Sequence, residues 1–105
     1  MLKINMEFRK GVLFVRLYGI LSSKTIDIFN TKVKEVIINS GIKYVVLNVG
    51  SLDYISPVGI SEIKRLKRIL NKTDGEFFLS GGSIKELKKL VNLENELKVF
   101  ERVVI

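Results

Sequence analysis

Apolar positions along this chain change their spacing several times, and each spacing predicts an element. Residues 3–9 alternate weakly and residues 12–18 more clearly, with the period of two expected of strands. Lys10-Gly11 between them predicts a tight hairpin turn. From Ile26, the residues Phe29, Val33, Val36 and Ile37 follow helical spacing. Ser22-Ser23 offers an N-cap for that helix, Asp27 suits the positive end of its dipole, and Asn39-Ser40-Gly41 is a stop signal. Residues 44–49 form an apolar run broken only by Asn48, as expected of a strand covered on both faces in a parallel sheet. Residues 50–55 then lead to a second helix running from Pro57 to about residue 71, with Gly59, Ile60, Ile63, Leu66 and Leu70 facing inward. Thr73-Asp74-Gly75 reads as a turn, residues 76–80 as a short strand, and Gly81-Gly82 as its end. Ser83-Ile84-Lys85-Glu86 is a capping box that opens a third helix, continued by Leu87, Leu90 and Val91. Residues 97–100 make a last strand, with Val103-Val104-Ile105 beyond it. The predicted order is β-β-α-β-α-β-α-β, an α/β fold with a mixed sheet that is largely parallel away from the hairpin.

Composition narrows the chemistry. With 105 residues, 47% of them hydrophobic, the chain is expected to form one domain over residues 1–105 with a single core. It has no cysteine, which removes disulfides and thiolate chemistry, and no histidine, which removes the commonest general base and metal ligand. No apolar run approaches the roughly 20 residues of a membrane span. Lys3, Glu7, Arg9 and Lys10 interrupt any leader-like stretch, so a cytoplasmic protein without membrane association is expected. The net charge of +7 favours acidic partners without choosing among them.

The chemistry-bearing segment is Tyr54-Ile55-Ser56-Pro57-Val58-Gly59-Ile60, at a strand-to-helix junction. In open α/β sheets, sites gather outside the carboxyl ends of the strands. Ser56 and Pro57, the only proline, make a strong helix start: serine at the N-cap and proline at the first helical position. The alternative role for Ser56 is phospho-acceptor, since a helix N-terminus stabilises an anion. Further along the helix, Val58, Ser61, Arg65, Arg68 and Lys72 share one face, flanked by Lys64 and Lys67. That stripe reads either as a solvated face or as a docking surface for an acidic partner. Lys85, Lys88 and Lys89 are read as solvation, and Gly81-Gly82-Ser83 as a plain turn because it lacks the spacing and lysine of a phosphate loop. Asp27 and Asp53 are isolated in sequence, and no nucleophile has an evident activating base. No enzymatic activity and no cofactor or metal is expected.

Several of these segments, in this order, resemble the STAS domain family, whose single-domain members include the bacterial anti-sigma factor antagonists. Residues 12–21 resemble its second strand and Gly-x-Leu turn, here Gly19-Ile20-Leu21, and Thr25 falls where its first helix commonly starts. Residues 44–49 resemble its central strand, Leu52-Asp53-Tyr54-Ile55 the approach to its second helix, and Gly59 the glycine of its Asp-Ser-x-Gly signature. The resemblance implies a regulatory protein-binding module that docks on a GHKL-type serine kinase acting as an anti-sigma factor, and so releases a sigma factor. It implies partner contacts at Ser56, Pro57, Val58, Gly59 and Ser61, with Arg65 and Arg68 along the helix and Ser22 beside the Gly-x-Leu turn. Ser56 takes the family's acidic position and Pro57 its phosphoserine position. Proline has no hydroxyl, so the usual switch is not expected unless Ser56 has taken it over. The alternatives are a scaffold or adaptor in another signalling complex and, from the basic second helix, a nucleic-acid-binding domain. The chain has no nucleic-acid-binding signature and no tryptophan, which weighs against the last.

Overall fold

Two strands joined at Lys10-Gly11 begin the computed structural model, which describes residues 1–81 and, as backbone, residues 98–100. Strands β1 (Leu2–Arg9) and β2 (Val12–Leu21) pair antiparallel from Leu2 opposite Gly19 to Arg9 opposite Val12. Both turn residues have positive φ, 50° at Lys10 and 83° at Gly11, the twist that a two-residue hairpin requires. The chain then forms α1 (Ile26–Phe29), a π-helical turn (Asn30–Lys34) and α2 (Glu35–Ser40), which together make the one helix that the sequence predicts. Gly41 ends it with φ 64°, donating its N–H to Ile38 O. β3 (Tyr44–Ile55), α3 (Pro57–Lys72), β4 (Glu76–Ser80) and β5 (Lys98–Phe100) follow. The strands lie side by side as β1-β2-β3-β4-β5, parallel everywhere beyond the hairpin. The predicted third helix, the Lys85, Lys88 and Lys89 patch, Gly82-Ser83 and Val103-Val104-Ile105 lie outside the described residues.

The core forms between one face of the sheet and the helices. Leu13, Val15, Leu17, Val45, Leu47, Val49, Phe77 and Leu79 alternate inward from β2, β3 and β4. Phe29, Val33 and Ile37 descend from the first helical segment, and Ile60, Ile63, Leu66 and Leu70 from α3. Each of these large side chains contributes about 1.5–3 kcal/mol on burial. The inward residues predicted for α3 are all buried, Gly59 included. Where the first helical segment meets α3, Lys34 Nζ lies 3.5 Å from Glu62 Oε1, with side chains only 18% and 14% exposed.

Three features differ from the sequence reading. First, β3 does not end at Val49 but continues to Ile55. Between Arg16 and Tyr18 the register moves two residues on β2 and three on β3, from Asn48 to Ser51. Between Gly19 and Ile20 it moves one on β2 and two on β3, from Leu52 to Tyr54. Two extra residues on β3 therefore bulge the strand, and its inward residues become Val49, Leu52 and Ile55. Second, neither Ser22 nor Ser23 caps the first helix. Thr25 holds the N-cap position, and its Oγ1 accepts from Ser22 N at 2.9 Å and donates to Ile20 O at 2.8 Å. Third, the π-helical turn shifts the helix face, and Val36, predicted inward, is exposed. Asn30 Oδ1 is buried in that turn without a hydrogen-bond partner among the described residues.

Candidate functional site

The carboxyl ends of β2 and β3 meet the start of α3 through one backbone contact. Ser56 N donates to Leu21 O at 2.9 Å. That bond sets Ser22, the next residue on β2, beside the Ser56-Pro57 helix start, so the structure brings together these two parts of the predicted site. Ser22 Oγ is occupied locally, accepting from Lys24 N at 3.3 Å.

The first turn of α3 is almost fully satisfied. Ser56 is extended (φ −85°, ψ 166°), its Oγ accepts from Gly59 N at 3.2 Å, and its carbonyl accepts from Ile60 N at 3.0 Å. Pro57 has no N–H to satisfy. Of the amide donors that open a helix, Val58 N–H alone has no protein acceptor among the described residues. A phosphate cradle needs several convergent N–H groups, and this turn has one. The proline and serine that make a firm helix start thereby make a weak anion site.

What the junction does present is apolar surface. Ile20 and Tyr54 are cross-strand partners at the strand ends, 38% and 44% exposed, and Val58 in the first turn of α3 is 43% exposed. Pro57 is exposed with them. Spacing along the chain does not bring Ile20 and Tyr54 together, because their meeting depends on the β3 bulges. Gly59 was expected among the partner contacts, but it is buried. A Cβ there would lie 2.9 Å from Ile55 Cγ1 and 3.0 Å from both Leu21 Cγ and Leu21 O. Gly59 is thus a packing residue that lets α3 close onto the sheet, and any part it plays in docking is indirect.

From this edge the polar face of α3 runs away toward its C-terminus. Ser61, Arg65, Arg68 and Lys72 are exposed, as the spacing predicts, and Lys64 and Lys67 are half-buried beside them. Arg65 Nη1 lies 3.7 Å from Glu62 Oε2, one turn back. The arrangement is a small apolar edge continued by a cationic stripe, and both features suit a protein partner with an acidic margin. Among the described residues no cluster of side chains could hold a metal ion, and no helix is long and apolar enough to cross a membrane.

Comparison with known proteins agrees with this architecture. An anti-sigma F factor antagonist of Paenibacillus polymyxa is 32% identical over 75 residues, 71% of this chain and 64% of that protein. The chain thus spans under two thirds of the length of that relative. An anti-sigma factor antagonist from Mycobacterium paratuberculosis superposes with a TM-score of 0.83 at 17% identity, covering 98% of this chain and 88% of the other. The anti-sigma factor antagonist SpoIIAA, whose unphosphorylated and phosphorylated forms are both known, superposes in the former with a TM-score of 0.78 at 16% identity, covering 96% and 90%. Both structures share the fold with this chain. The sequence pattern of the STAS domain matches residues 3–104, and the chain belongs to the STAS domain family.

Proposed function

We propose that this chain is a non-enzymatic regulatory module that docks on an anti-sigma factor, a serine kinase of GHKL type, and so releases a sigma factor. The observation that carries the reading is the junction: an exposed apolar edge of Ile20, Tyr54, Pro57 and Val58, continued along α3 by Ser61, Arg65 and Arg68. The similarity to anti-sigma factor antagonists supplies the class of partner. Within this reading Pro57 stands at the phospho-acceptor position and cannot take a phosphoryl group. Ser56 Oγ is engaged in capping Gly59 N and is half-buried, which works against it as a substitute acceptor. The module therefore acts as an antagonist that its kinase cannot inactivate by phosphorylation.

A binding and phosphorylation assay with the anti-sigma factor kinases of the same genome tests this. The wild-type chain should bind one of them and stay unmodified by mass spectrometry, while P57S should acquire phosphate at residue 57. V58E should weaken binding about tenfold or more, as expected when a charge is buried at an interface centre. R65E/R68E should weaken it and flatten its salt dependence. Phosphate on Ser56 of the wild type would overturn the non-switching part. Binding unchanged in V58E would remove the docking edge.

A further inference from the structure

We infer that the face of the sheet turned away from the helices carries a site for a small organic anion, a carboxylate on a single flat ring, with Arg16 as its anchor. The reasoning starts from strand alternation. Leu13, Val15 and Leu17 of β2 point into the core, so Phe14, Arg16 and Tyr18 point to the opposite face. Antiparallel pairing sets Asn5 opposite Arg16, Glu7 opposite Phe14 and Lys3 opposite Tyr18. On this face lies an open groove of about 360 Å³ lined by Asn5, Met6, Glu7, Phe14, Arg16 and Tyr18. Its volume is near the lower end of the roughly 300–1,000 Å³ range of small-molecule sites.

Arg16 is half-buried, and its guanidinium makes no hydrogen bond or ion pair with the described residues. An arginine cannot shed its proton to escape partial desolvation. Its cross-strand neighbours offer no counterion. Asn5 is neutral, and on the other side Asn48 directs its Oδ1 to Gly50 N at 2.8 Å. Among the described residues Glu7 is the one carboxylate in the groove lining, and its Oε2 lies 3.4 Å from Arg9 Nε. Arg9 also stacks 4.9 Å from the Phe14 ring, and Lys3 lies 6.0 Å from the Tyr18 ring. The surroundings are cationic, with Lys3, Arg9 and Arg16 against Glu7. They combine a planar fork of donors that is unpaired among the described residues with two flanking aromatic rings. A guanidinium fork matches a carboxylate with two parallel hydrogen bonds, and Phe14 and Tyr18 supply walls for a flat apolar body. This site lies on a different face of the protein from the α3 junction and does not depend on it.

Sodium benzoate titrated into the full chain at fixed ionic strength, followed by ¹⁵N–¹H correlation NMR, tests the assignment. Benzoate should give saturable shifts at the amides of Asn5, Glu7, Phe14, Arg16 and Tyr18 and at Arg16 Nε–H, while neutral benzyl alcohol at equal concentration should not. R16Q should lower the affinity about tenfold or more, the scale of a lost charge-assisted pair. R16K, which keeps the charge without the fork, should fall between and gives the same reading if R16Q does not fold. Equal shifts with benzyl alcohol, shifts that do not saturate, shifts centred on Arg65 and Arg68, or an affinity unchanged in R16K would each overturn it.

Discussion

Replacing Gly59 by alanine tests whether close packing beneath the first turn of α3 holds the exposed apolar edge in place. Two effects oppose. Alanine in a helix is more favourable than glycine by about 0.5–1 kcal/mol. Against that, the new methyl carbon would sit 2.9 Å from Ile55 Cγ1 and 3.0 Å from Leu21 Cγ and Leu21 O, closer than ordinary carbon contacts. Ile55 and Leu21 are core residues with almost no exposed surface. The Leu21 carbonyl is fixed by the Ser56 N–H at 2.9 Å, so it cannot retreat without loosening the bond that anchors the helix start. Overpacking of a filled site costs about 1–3 kcal/mol. The clash therefore offsets the helical gain and leaves a net loss of up to about 2.5 kcal/mol, centred near 1 kcal/mol, and for a domain of this size each kcal/mol lowers the Tm by roughly 4–8 °C. Thermal and urea unfolding followed by circular dichroism would measure it, with an unchanged m-value showing that the unfolded state is not the cause. Because the strain falls at the β2–α3 contact, partner affinity should drop as well, although residue 59 is not exposed. If G59A melts at or above the wild-type temperature, the junction has slack and the packing role assigned to this glycine is wrong.

Three further outcomes follow from the same contacts. Ser56→Ala should destabilise by about 1 kcal/mol through loss of the cap, and Ser56→Asp, which can still accept from Gly59 N, should recover most of it in the same urea melts. Thr25→Val should cost about 1 kcal/mol, because the part-buried bonds from Ser22 N and to Ile20 O are lost, while Thr25→Ser should retain much of the stability. Glu62→Gln should cost about 1–2 kcal/mol by removing the counterion of the mostly buried Lys34. A double-mutant cycle with Lys34→Met checks this last value: a coupling near zero would show the pair to be only geometric.

The parts of the fold that one element's own residues decide were legible in the sequence. Pro57 through Lys72 carries its cap, its proline and its inward stripe within one segment, and the helix forms as expected. The Lys10-Gly11 turn and the Gly41 stop are equally local. The length of β3 was not legible. Gly50, Ser51 and Asp53 are poor strand residues, and the bulges replace a period of two by the spacing Val49, Leu52, Ile55. Only pairing with β2 makes that segment a strand. The same cause hid half of the candidate site, since Ile20 and Tyr54 lie 34 positions apart in sequence and meet through the shifted register. The π-helical turn is not legible in the sequence because Phe29, Val33 and Ile37 keep a spacing that an α-helix also satisfies. For Ser22 and Ser23, capping propensity lost to the bridge that Thr25 makes between Ser22 N and Ile20 O.

The order of strands in the sheet, β1-β2-β3-β4-β5, is also the order in which a ribosome delivers them. Each strand finds its partner already made and pairs with the edge that its predecessor left open, so no strand has to be inserted between two others. The hairpin can close first, because its contacts are local. Each later strand–helix unit then adds to a growing edge, and domains that emerge at about 5–20 residues per second have time for such stepwise growth. The junction at Leu21, Ser56 and Gly59 is complete once β2, β3 and the first turn of α3 have emerged. The exposed apolar edge at this junction therefore needs no residue of β4 or β5 to assemble.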